Sequence, residues 1–285
     1  MNDTLFLNTQ TTGFNYKRDK IISIGLLYFQ SDNYSIKQFF SCDGKEENLT
    51  DQFMDFMKQN EFSNLVTYNG KSFDLPFINY KIKKYGFLQG LRYNNHFDLY
   101  RELKKYNHMF GFKKLSLANI KNEWNIPYKS EISSKDINNL YDDYIINKNL
   151  SSKTSILQYS ADNLKSMRII EENLDKFKVE LLIECKFLKT HVSFLNIVKH
   201  KKKADIILEF TAPYPNIPIE IYCEGINIKR KNNFLIIETD IIFGTDDNGR
   251  ICTVSVLDMS NPLYIGDAKQ WGRIIAFTKS LLNEI

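Results

Sequence analysis

The chain is poor in the residues that build small stapled or metal-knit modules. Its four cysteines, Cys42, Cys185, Cys223 and Cys252, are scattered over 285 residues with no C-x-x-C pair and no histidine at zinc-finger spacing. A disulfide framework and a zinc module are therefore both excluded, and the cysteines read as reduced, mostly buried thiols. No apolar run approaches the roughly 20 residues that span a bilayer; even Lys20–Gln30 is short and closed by polar residues. Met1-Asn2-Asp3-Thr4 carries no basic segment ahead of its first apolar residues, so a secretory leader is not expected and a cytoplasmic location is. Internal repeats and low-complexity linkers are absent as well.

What the chain does have is an ordinary globular composition. Hydrophobic residues make up 43%, aromatics 14% and charged residues 25%, too apolar for wholesale disorder and without the glycine period of collagen. The length suits one large domain or two modest ones. A net charge of +4 is compatible with a nucleic-acid partner, but charge of that size does not select one.

Hydrophobic patterning divides the chain in two. Thr4–Thr9, Lys20–Gln30 and Tyr34–Ser41 read as three consecutive strands. Glu46–Lys58 places Leu49, Phe53, Phe56 and Met57 on one helical face; Asn64–Tyr68 returns to strand, Phe73–Lys84 to helix, and His96–Tyr100 to a short strand. Leu115–Trp124, Lys135–Asn147 and Ser155–Lys176 have helical spacing. Strands that can pair by hairpins, followed by alternating helix and strand, predict an α/β domain with a mixed sheet and helices on its faces over residues 1–178. From 179 to 285 the texture becomes alternating, in Ala204–Phe210, Ile217–Cys223, Phe234–Thr239 and Ile251–Leu257, with Asp247-Asn248-Gly249 as a hairpin turn and Asp267–Glu284 as a closing helix. This part is expected to be mainly antiparallel β.

Three segments of the first part carry a chemical pattern. Leu5-Phe6-Leu7-Asn8-Thr9-Gln10-Thr11-Thr12-Gly13-Phe14 ends the first strand, with Asn8 and Gln10 two apart and so on one face. Val66-Thr67-Tyr68-Asn69-Gly70-Lys71-Ser72-Phe73-Asp74-Leu75-Pro76-Phe77 crosses a strand-to-helix junction. Gln158-Tyr159-Ser160-Ala161-Asp162-Asn163-Leu164 lies on a helix, where Tyr159 and Asn163 share a face. Taken alone, a T-T-G or an F-D-L-P is a weak signal, and Tyr159 on an apolar face reads as a core tyrosine.

Together, over residues 4–176, these segments resemble the three motifs of the DEDD-type 3′–5′ exonucleases of the ribonuclease H-like superfamily, subgroup DEDDy. The wording T-T-G-F, Y-N-G-K-S-F-D-L-P-F and His96-Phe97-Asp98-Leu99 is most similar to the YprB-like branch. The resemblance implies a ribonuclease H-like five-stranded mixed sheet and removal of nucleotides from a 3′ end by two Mg²⁺ or Mn²⁺ ions. It places metal ligands at positions 8, 10, 74 and 163, assigns Tyr159 to the attacking water, and puts Thr11, Thr12, Gly13, Asn69 and Phe73 beside the terminal nucleotide of a single strand. Sliding the third motif to make Asp162 the ligand would put Gln158 at the tyrosine position, and that register is rejected.

This chain departs from the pattern at the acids. Asn8, Gln10 and Asn163 stand where the family has carboxylates, and Asp74 alone is retained. Two divalent cations about 3.5–4 Å apart need anionic oxygens around them, and a neutral amide carbonyl is a weak Mg²⁺ ligand. Each replacement is an acid's own amide, the pattern of deliberate inactivation first and of a natural pseudo-nuclease second. In either case the expectation is a folded, catalytically silent exonuclease-type protein. The alternative is a non-catalytic module that binds a single strand or docks a protein. Two basic runs, Lys199–Lys203 and Lys229-Arg230-Lys231 at a probable hairpin tip, read as solvated turns. Tyr106, His108, Phe110, Phe112, Lys113 and Lys114 beside Gly111 read as stacking residues or as a loop over the cleft.

Overall fold

The structure, a computed structural model, describes residues 3–30, 33–211 and 219–284. The chain forms two compact units, Met1–Leu174 and Asp175–Ile285.

The first unit is an α/β layer built on a five-stranded sheet in the order β3-β2-β1-β4-β5. Strands β1 (Thr4–Thr11), β2 (Ile21–Gln30) and β3 (Asn33–Phe40) form an antiparallel meander, while β4 (Asn64–Thr67) and β5 (Asn95–Asp98) run parallel to β1. The parallel pairings require crossovers, supplied by α1 (Glu47–Gln59) before β4 and α2 (Asp74–Lys84) before β5. Every residue of β2 from Ile21 to Tyr28 is buried, as a strand covered on both sides must be. On one face Leu5, Leu7, Ile24 and Leu26 pack with Phe53 of α1 and Phe77 of α2. On the other, Phe6, Leu27 and Val66 pack with Leu164, Met167 and Ile170 of α6 (Leu150–Glu180).

Helix α3 (Leu99–Phe110) replaces the continuation of the strand expected through Tyr100 and takes in Tyr106, His108 and Phe110, while Phe112, Lys113 and Lys114 lie in the loop that follows. Leu99, Leu103 and Tyr106 recur at helical spacing and are buried, and Gly111, at φ 72°, closes the helix in the left-handed conformation that suits glycine. Tyr106 is thus a core residue. Helices α4 (Leu117–Glu123) and α5 (Ile137–Asn147) follow.

A buried ion pair anchors the helices to the sheet edge. The Lys81 ammonium lies 2.8 Å from the Glu46 carboxylate and donates to the Asp19 carbonyl at 2.7 Å. Glu46 also accepts from the Ile21 N–H. These bonds hold its carboxyl below the usual range although burial pushes the other way.

The second unit is an antiparallel sheet ordered β14-β13-β12-β11-β8-β7-β6, with β10 beside β11 and β9 beside β10. Its strands are β6 (Leu182–Cys185), β7 (Thr190–Lys199), β8 (Lys203–Phe210), β9 (Glu220–Cys223), β10 (Ile226–Lys231), β11 (Phe234–Thr245), β12 (Ile251–Ser255), β13 (Tyr264–Ile265) and β14 (Ala268–Lys269). Ala204, Ile206, Leu208 and Phe210 alternate inward along β8. Helix α7 (Trp271–Glu284) buries Ile274, Phe277, Leu281 and Leu282. Of the expected Ile217–Cys223 strand, Glu220–Cys223 is formed, and Ile217 lies outside the described residues. Lys229, Arg230 and Lys231 belong to β10 itself, one step ahead of the turn at Asn232. Cys185 and Cys252 are buried free thiols and Cys42 is an exposed one.

Candidate nucleic-acid cleft

Because β1, β4 and β5 are parallel, their carboxyl ends open on one edge of the sheet, the usual place for a site in such folds. That edge collects all three sequence segments. Side chains alternate along β1, so Asn8 and Gln10 share the face of Phe6, opposite Gly25 and Ser23 of β2. A register shift after Gln10 marks a bulge at this point.

Asn8 is held by α6. Its Nδ2 donates to the Ser160 carbonyl at 2.9 Å, and its Oδ1 accepts from the Ser160 hydroxyl at 2.9 Å. Gly25 makes room for this pair, since a Cβ there would lie 2.5 Å from Ser160 Oγ and 2.6 Å from Asn8 Oδ1. One turn further along α6, Asn163 Oδ1 accepts from the Lys121 ammonium of α4 at 3.2 Å. Lys121 is buried, and its Nζ lies 4.4 Å from the Tyr128 ring centroid and 5.8 Å from that of Tyr159. Burial pushes its ammonium below the ordinary lysine range, partly opposed by Asp162. Gln10 is 8% exposed, and its side chain forms no hydrogen bond among the described residues.

Asp74, the first residue of α2, is engaged elsewhere. Its Oδ1 accepts from both the backbone N–H and the hydroxyl of Thr9, each at 2.7 Å. Burial pushes its carboxyl up to about 6 in spite of those bonds. Asp98 accepts from the N–H groups of Asn69 and Lys71, fixing the turn in which Asn69 takes a left-handed φ of 60°. Asp162 accepts from the N–H groups of Lys129 and Ser130 and from Gln158. It fastens the loop at Lys129 and Ser130 to α6.

The T-T-G segment is a built turn. Thr11 donates its hydroxyl to the Gly13 carbonyl, Thr12 Oγ1 accepts from the Lys20 N–H, and the Thr12 carbonyl accepts from Asn138 of α5. A Cβ on Gly13 would meet the Asp19 carboxylate at 2.3 Å. Beyond it Phe14 is 91% exposed, with its ring centroid 6.1 Å from that of Phe73.

The structure therefore pairs Asn8 with Ser160 and, one turn along α6, Asn163 with Lys121, whose ammonium faces the rings of Tyr128 and Tyr159; Gln10 shares the strand face of Asn8, and Asp74 is tied separately to Thr9. The donor set does not fit a pair of divalent ions. Among the described residues no three His, Cys, Asp or Glu side chains come close enough to hold a metal. Both amide atoms of Asn8 are engaged by Ser160, and the Asn163 oxygen is engaged by Lys121.

The RNase_H superfamily profile matches residues 5–175. This chain belongs to the RNase H superfamily. Among solved structures, the superfamily fold is shared with the family B DNA polymerase of the archaeon Pyrobaculum calidifontis at a TM-score of 0.51 and 16% identity, covering 62% of this chain and 25% of that one. E. coli exonuclease I, in a zinc-bound complex with single-stranded DNA, aligns at a TM-score of 0.40 and 9% identity over 73% of this chain and 54% of that one. A product-bound exonuclease I aligns at 0.39 and 10% identity over 73% and 58%. The chain thus spans a quarter of the polymerase and little more than half of exonuclease I. No curated protein matches it in sequence.

Ser160, Lys121 and Phe14 lie beside the candidate site residues and were not singled out by sequence reasoning. Ser160 and Phe14 lie inside the quoted motifs and could have been flagged by position. Lys121 had no such signal, because a lysine on a short amphipathic helix reads as a solvated residue.

Proposed function

We propose that the first unit is an exonuclease-type nucleic-acid module that receives the 3′ end of a single strand and does not cut it by two-metal hydrolysis. The observation that carries this reading is the engagement of Asn8. As an amide it gives one hydrogen to the Ser160 carbonyl and takes one from the Ser160 hydroxyl. An aspartate in the same pose would set a carboxylate oxygen against that carbonyl oxygen. A side chain fitted so closely to its amide form favours a natural pseudo-nuclease over deliberate inactivation. The exposed Phe14 ring beside Phe73 supports a strand as the occupant, since an aromatic face stacks on any base. Tyr159, Thr11, Thr12, Gly13, Asn69 and Phe73 are assigned to the walls of this cleft, and Mg²⁺ or Mn²⁺ to its active relatives.

The test is a gel shift with labelled single-stranded DNA and RNA in EDTA, run beside a trimming assay in Mn²⁺. Binding without shortening is the expected result. Mn²⁺-dependent shortening that an Asp74→Asn variant abolishes would overturn the reading.

A further inference from the structure

Replacing a carboxylate by its amide changes more than charge. A carboxylate only accepts hydrogen bonds, whereas an amide also presents N–H donors. In this cleft Asn163 spends its oxygen on Lys121, while its Nδ2 makes no hydrogen bond among the described residues and is not sealed from solvent. The same holds for the Gln10 amide. Ser23, directly across from Gln10, has a buried hydroxyl with no partner among the described residues.

Lys121 adds a full charge to these donors. It is 5% exposed and enters no ion pair among the described residues. The carboxylate that influences it, Asp162, already accepts from two backbone N–H groups and from Gln158. A buried ammonium without an anion is costly, and the faces of Tyr128 and Tyr159 offset only part of that cost. A divalent ion placed beside Asn163 would meet this cation at close range and be repelled.

We propose that Lys121, with the amides of Asn163 and Gln10, forms a metal-free phosphate site, so that a cleft whose ancestors gathered cations around carboxylates now holds an anion directly. This inference rests on the proposed strand-binding function and assigns the group that grips the strand. The ligand is a phosphate of the nucleic-acid backbone, either a terminal 3′-phosphate or an internal phosphodiester.

The full chain is titrated in EDTA against 5′-labelled single strands ending in a 3′-hydroxyl or a 3′-phosphate, with fluorescence anisotropy as the readout. Lys121→Met should weaken binding by at least about tenfold, and Lys121→Arg should keep most of it. A 3′-phosphate strand that binds more tightly identifies the terminal group, whereas equal affinity identifies the internal diester; both support the site. Asn163→Asp is the second variant, independent of how Lys121→Met folds, because it gives the ammonium its own carboxylate and should produce a similar loss. Strand binding that both variants leave unchanged would overturn the phosphate site and leave the strand-binding reading standing. If no strand binds at all, that reading fails, and inorganic phosphate decides the site alone. A phosphate-dependent rise in melting temperature that Asn163→Asp removes supports it, and no rise overturns it.

Discussion

Asn8 and Ser160, 152 positions apart in sequence, hold each other by two reciprocal hydrogen bonds of 2.9 Å. This pair stitches the end of β1 to the middle of α6 and takes up the position where the superfamily resemblance expects a metal-binding acid. Its chemistry makes the first prediction. Asn8→Asp should destabilise the metal-free protein at pH 7 by about 1–3 kcal/mol, the usual cost of opposing a buried acceptor to another acceptor. Urea unfolding measures it, and an unchanged midpoint would show that the amide hydrogens are not used.

The same pair depends on the missing side chain of Gly25. A Cβ at 2.5 Å from Ser160 Oγ and 2.6 Å from Asn8 Oδ1 cannot be accommodated without moving both groups. Gly25→Ala should therefore cost about 1–3 kcal/mol. The loss should shrink in a Ser160→Ala background, where one of the two clashing atoms is gone; equal losses in both backgrounds, read by thermal melts, would place the strain elsewhere.

Asp74 gives a pH signature. Burial raises its carboxyl to about 6 in the folded protein, against about 3.9 for an exposed aspartate. The folded state then keeps its proton to higher pH than the unfolded one. This residue's contribution to stability is greatest below about pH 4 and declines as pH rises through about 6, by a total on the order of 3 kcal/mol. Asp74→Asn lacks that titration, so its stability relative to the parent should improve between pH 4 and pH 7. A difference that stays flat in paired urea titrations across that range would rule out the raised carboxyl.

Metal response should be recoverable. Neither Mg²⁺ nor Mn²⁺ at millimolar levels should raise the melting temperature of the chain as it stands, since a ligand stabilises only above its dissociation constant. The triple variant Asn8→Asp, Gln10→Glu, Asn163→Asp should gain a Mn²⁺-dependent rise and slow trimming of single strands, while each single change restores little, because groups acting as a unit are non-additive. Lys121→Met added to the triple variant should strengthen the metal response by removing a competing cation. A triple variant that folds, binds Mn²⁺ and trims nothing would set aside the exonuclease ancestry of the cleft.

Much of the first unit was readable in advance because its signals are local. The apolar run of β1 and the turn chemistry of T-T-G and of Y-N-G are each contained within a few residues. Helix α3 was missed because Asp98-Leu99-Tyr100 continues the apolar look of β5, and only the recurrence of Leu103 and Tyr106 reveals the helix. Helix α6 begins at Leu150, earlier than expected, since its Ser-Ser-Lys-Thr opening has low helix propensity and is carried by Ser152 packed into the unit. The Lys121 to Asn163 bond could not be read at all. It joins residues 42 positions apart, and neither is unusual within its own helix.

The hydrogen bonds from Thr9 to Asp74 change what the surviving motif acid signifies. A scan that scores catalytic competence by counting acids would credit Asp74 as a remnant of activity. Here it is a clip between a strand and the first turn of the next helix, where a negative charge also suits the helix dipole. Seating α2 is a sufficient structural role for it, so its presence carries no message about turnover. Asp74 is therefore expected to matter to the seating of α2 whether or not this edge of the sheet turns over a substrate.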